Sequence, residues 1–156
     1  MKQFIIASAL ILTSSLAQAA LGDDPEKSNN RYGEQIISQV DIYNGQNEER
    51  IYEKSDHRTA VIFNRQMAAV SVHYYNLNGK KQLSDSQIKE FLLLNGTDWK
   101  LEKPKLGTAM DVVKVTKWTA PDGKMAVLER SPKEDNLRIA SAERLKELAG
   151  KTTSIR

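Results

Sequence analysis

Short strand-like runs, each closed within a few residues by a turn signal, constrain this chain more than any other feature. Arg50-Ile51-Tyr52-Glu53 ends at the polar cluster Ser55-Asp56-His57, and Asn64-Arg65-Gln66 separates Thr59-Ala60-Val61-Ile62-Phe63 from the run Ala68 to Tyr75. Pro121-Asp122-Gly123 divides a strand expected over 111–119 from one expected over 125–129. Asn44-Gly45 closes a strand in which Val40 and Ile42 alternate with Asp41 and Tyr43, and Asn78-Gly79 breaks the pattern again. Trp99-Lys100-Leu101 reads as another strand, and Leu137-Arg138-Ile139 as an edge strand. Strands joined so tightly must pair antiparallel, because a parallel neighbour needs a crossover of roughly a dozen residues or more.

Three helices punctuate the strands. Asp24 is placed to cap the first, with Pro25 at the first helical position, where no amide donor is needed. That helix runs to about Tyr32 and stops at Gly33. The second carries the clearest signals: Ser84 as cap, Gln87 in capping-box position, and Gly96 as the stop. Its stripe of Ile88, Phe91 and Leu92 faces a sheet, while Lys89 and Glu90 face water. A closing helix is expected from Ser141 to about Ala149, followed by a frayed tail over 151–156. The fold class is therefore α+β: one domain over 20–150, an antiparallel sheet with short helices packed on one face. Two halves, 21–78 and 79–140, share the order of a helix followed by strands.

Residues 1–19 read as a signal peptide outside that fold. Lys2 supplies a positive start, Phe4 to Leu12 an apolar run too short for a bilayer, and Ala17-Gln18-Ala19 a cleavage site. The mature chain then begins at Ala20 and is expected in the periplasm or secreted from a bacterium. Removing Lys2 from 23 basic residues leaves 22 against 20 acids, a mixed surface without the one-sided basic face of a nucleic-acid binder. The absence of cysteine excludes disulfides and a lipoprotein anchor. No later segment reads as a transmembrane helix.

The first half also carries a resemblance. Gly22, the cap Asp24 two residues on, the helix ending at Tyr32-Gly33, Ile51-Tyr52-Glu53, and Val61-Ile62-Phe63 leading through a turn to Val70 form one pattern. Over 21–72 it resembles the small exported bacterial domains related to the β-lactamase-inhibitor protein and to the small lipoprotein subunit of the outer-membrane barrel-assembly machine. The chain departs from that family at Ser28, where the helix is usually apolar, and at Gln35, where proline is usual. The resemblance implies a fold and a habit of binding other proteins, and transfers no functional residue.

The residues themselves offer little chemistry. His57 and His73, without cysteine, do not supply a zinc set, and no cofactor is expected. Ser55, Asp56 and His57 are adjacent in sequence, which does not give the aligned geometry of a triad. Glu48-Glu49 and Glu134-Asp135 read as solvated surface. The remaining lead is aromatic: Tyr43, Tyr52, Tyr75, Trp99 and Trp118 fall on expected strands, where exposed rings supply contact area at small entropy cost. Tyr74 and Tyr75 must point to opposite faces, so at most one enters the core. The expectation is an exported, non-enzymatic binding domain with a protein partner of unknown identity, using the sheet face not covered by helices. Its rivals are an envelope hydrolase built on dispersed carboxylates and His73, and a structural protein that self-associates through a sheet edge.

Overall fold

Eight antiparallel strands form one sheet, and the two halves of the chain each contribute four neighbours in it. The computed structural model describes residues 20–40, 46–54, 57–77, 82–102 and 113–152. In chain order the elements are α1 (Pro25–Tyr32), β1 (Glu34–Val40), β2 (Glu48–Lys54), β3 (His57–Phe63), β4 (Ala69–Asn76), α2 (Asp85–Asn95), β5 (Lys100–Leu101), β6 (Lys114–Thr119), β7 (Met125–Arg130), β8 (Asp135–Ala140) and α3 (Ala142–Thr152). Across the sheet the order is β1-β2-β3-β4-β8-β7-β6-β5. Each half is thus a helix followed by a four-strand meander, and the last strand of each meander meets the other at the centre. Among the described residues no helix is long and apolar enough to cross a membrane.

The helix boundaries follow from local chemistry. The Asp24 carboxylate accepts from the Lys27 amide at 2.9 Å, Pro25 opens α1, and Gly33 ends it at φ 94°. A side chain at Gly33 would also collide with the Glu53 carbonyl of β2, so that turn requires glycine twice over. In α2 the Ser84–Gln87 capping box forms in both directions.

The strands hold two corrections. The first strand spans Glu34–Val40, earlier than the expected segment around Val40 and Ile42, of which 41–45 lies outside the described residues. Its sequence shows no clean alternation because it is an edge strand with a bulge between Gln35 and Ile37, pinned only by β2. The strand read as an edge, Leu137-Arg138-Ile139, is central instead. It pairs with β4 through Val72↔Ile139 and Tyr74↔Leu137 and with β7 through Ala126↔Ile139. Asp135, expected on a solvated surface, is buried at the start of β8, where it accepts from the Leu83 amide at 3.0 Å and faces Arg130 at 3.7 Å. It ties the lead-in of α2 to the sheet.

One face of the sheet carries Tyr52, Val61, Phe63, Val72, Tyr74, Leu128, Leu137 and Ile139, all buried beneath α1 and α2. Ile88, Phe91 and Leu92 point into this core as expected, and the Phe91 ring stacks on Tyr74 at 4.0 Å with 5° between planes. Tyr32 and Asn95 meet Tyr74 Oη at 3.3 and 2.8 Å, which gives buried polar groups their partners. The third helix goes elsewhere. Ser141 donates its backbone amide to the Val70 carbonyl, and Glu147 accepts from Asn47 at 3.3 Å. Alternation places Asn47 and His73 on the second face, so α3 lies across one end of that face from β8 toward β2. A helix that follows β8 at once reaches either face, and the fully buried Arg144 fixes this one.

Candidate binding face of the sheet

The second face is built from two cross-strand rows, in which Ala60 and His73 are buried and Ile51, Arg58, Tyr75, Val127, Asn136 and Arg138 are half-buried. The first runs Ile37, Ile51, Ala60, His73, Arg138, Val127 and Lys117, by register through all strands from β1 to β6. The second pairs Glu53 with Arg58 and Arg58 with Tyr75, and continues on the far side of β4 with Asn136 paired to Glu129. Strand alternation puts these side chains on one surface.

His73 sits beneath this surface with both ring nitrogens committed. Its Nε2 lies 3.0 Å from Ser71 Oγ, and its Nδ1 lies 3.4 Å from Tyr75 Oη. Ser71 donates its hydroxyl proton to the Ile139 carbonyl at 3.2 Å, so it must accept from Nε2–H. Nδ1 is then the acceptor for Tyr75. Burial, followed by the guanidiniums of Arg138 and Arg144, pushes the pKa of His73 down to about 3. It is a neutral imidazole that orients Tyr75.

Three guanidiniums surround that pair. Arg58 is compensated by Glu53 at 2.7 Å, and Arg144 by Glu147 at 3.0 Å. The Arg138 side chain is half-buried and makes no ion pair or hydrogen bond among the described residues. Arg58 Nε, Arg138 Nε and Asn136 Oδ1 are all shielded from solvent without a hydrogen-bond partner. The same holds for a side-chain oxygen of Ser28, Tyr52, Thr59, Asn95 and Asp135 elsewhere in the described residues, so it does not by itself single out this face.

Of the described aromatic residues singled out in the sequence, Tyr75 alone lies on this face. Tyr43 lies outside the described residues. Tyr52 is wholly buried in the helix-side core, 6.0 Å from Tyr32, because it falls on the same side of β2 as Arg50 and faces Thr59. Trp99 is half-buried at the end of α2, where its indole N–H donates to the Leu92 carbonyl at 2.9 Å and the Gly96 carbonyl at 3.1 Å. Trp118 lines a groove of about 370 Å³ between α2 and β6–β7, with Ile88, Leu92, Thr116, Leu128 and Arg130. Arg138 and Asn136 escaped the sequence reading. Their positions on either side of Leu137 showed which way they point, but nothing local showed that β8 is central.

Among the described residues His73 contacts Ser71 and Tyr75 and no carboxylate, so these groups do not form the site that the envelope-hydrolase reading requires. The Ser71–His73 contact has the proton flow of a structural pair, with the serine donating to a backbone carbonyl and only 2% of the residue exposed. Among the described residues no group of three or more histidines and carboxylates could hold a metal ion. Comparison with protein-family models, curated proteins and solved structures returns no match.

Proposed function

We propose that this chain is an exported, non-enzymatic domain that binds a partner protein through the sheet face left open by α3. The observation that carries the reading is the constellation of Tyr75 and Arg138 on adjacent central strands, above a buried histidine that fixes the tyrosine. Tyrosine and arginine on a rigid surface dominate binding energy at protein interfaces. The resemblance of residues 21–72 to exported protein-binding domains supports the same reading, as does the signal-peptide pattern of residues 1–19.

The test is affinity capture from a bacterial envelope with residues 20–156 as bait. A protein retrieved by the native chain and by Lys89→Ala, which alters the opposite face, should be lost with Tyr75→Ala. Equal recovery by all three, or no reproducible recovery, overturns the reading.

A second reading has its own observation. The edge strand β1 exposes Ile36, Ile37 and Val40, and contains no lysine or proline to discourage pairing. Self-association through that edge would give a dimer by sedimentation; a monomer at high concentration removes it.

A further inference from the structure

We infer that Arg138 anchors a carboxylate carried by the partner protein. The inference rests on the binding-face reading above and adds the partner's chemistry. Arg58 and Arg144 each face a carboxylate of this chain at 3.0 Å or less, which leaves Arg138 as the cation beside Tyr75 without a counter-charge among the described residues. Glu129, on the neighbouring strand and opposite Asn136, forms no ion pair with it. The Arg138 Nε is shielded from water without a partner, which is costly for a charged group, while the rest of the half-buried guanidinium keeps its capacity to pair. An incoming carboxylate supplies two acceptors in the geometry of the guanidinium fork.

An incoming segment would present one acidic side chain to Arg138 and apolar area to Tyr75 and Val127, both half-buried on the same sheet face.

The experiment pans displayed short peptides of random sequence on residues 20–156. Enriched peptides should share an Asp or Glu and lose at least about tenfold in affinity against Arg138→Met or Tyr75→Ala, with Lys89→Met unaffected. Loss with Tyr75→Ala but not Arg138→Met would overturn the carboxylate anchor and leave the binding face standing. Indifference to both substitutions would overturn both. Enriched peptides without a shared acid, or no enrichment, would overturn the anchor. Free glutamate or anionic phospholipid vesicles binding alone, with the same dependence on Arg138, would assign the site to a different occupant and overturn a protein-borne carboxylate. Arg138→Met should leave thermal stability equal or higher, since no internal partner is lost. A lowered midpoint would mark Arg138 as structural and overturn the inference.

Discussion

At His73 the chain holds a titratable ring in one protonation state, and stability therefore depends on pH in a defined window. The folded value near 3 lies below the ordinary 6.5 of the unfolded chain. As pH falls from about 6.5 toward 3, the unfolded chain takes up a proton that the folded chain refuses, so stability is lost across that interval. The carboxylates held low, Asp24 by its cap bond, Glu48 by Arg50 and Asp122 by Lys124, add their own losses only at the acid end. Urea midpoints measured between pH 7 and 5 should fall for the native chain and change less for His73→Gln. Identical slopes would show that His73 does not carry the effect. Gly33 offers a second residue-scale test. Gly33→Ala must accept a φ of 94° and displace the Glu53 carbonyl, and should cost at least about 2 kcal/mol in urea unfolding. A neutral result would mean that the α1–β1 turn relaxes freely. The turn glycine was legible from sequence. The neutral state of His73 was not, because it depends first on burial and then on the charges of Arg138 and Arg144, 65 and 71 positions later.

Among the elements, α2 was read almost completely from sequence. Cap, capping box, stop and apolar stripe all act within four residues of one another, and the observed helix uses each of them. Phe91→Ala should cost about 3 to 5 kcal/mol, through lost transfer energy and the cavity left beside Tyr74. Lys89→Ala and Glu90→Ala, on the exposed side, should each change stability by less than about 0.5 kcal/mol. Similar effects at all three positions would mean that the helix is rotated. The strands were less legible. β1 lacks alternation because an edge strand need satisfy only one neighbour, and β8 was mistaken for an edge because three alternating residues say nothing about who pairs with them.

Across the whole molecule, the β4–β8 seam joins the two meanders into one sheet with one helix-side core. Val72 and Ile139 face each other there and both are fully buried. Neither half can keep its central strand covered without the other, so thermal unfolding should be a single transition whose calorimetric and van't Hoff enthalpies agree. Two resolved transitions would show that 21–78 and 79–140 fold separately. The same seam creates the candidate face: Tyr75 comes from the first half, and Arg138 and Asn136 from the second.

Local physics determined the antiparallel α+β class, two of the helices with their caps, and the direction of each side chain along its strand. These depend on neighbours within a few residues, where turn chemistry and periodicity act. The tertiary structure decided which strand lies at the centre, which face α3 covers, and which of three arginines lacks a counter-charge among the described residues. Those outcomes depend on pairing between positions such as His73 and Arg138, 65 residues apart, and no local preference encodes such a contact. Tyr52 marks the boundary between the two. Its place on a strand was readable, while its burial followed from the helix that packed above it.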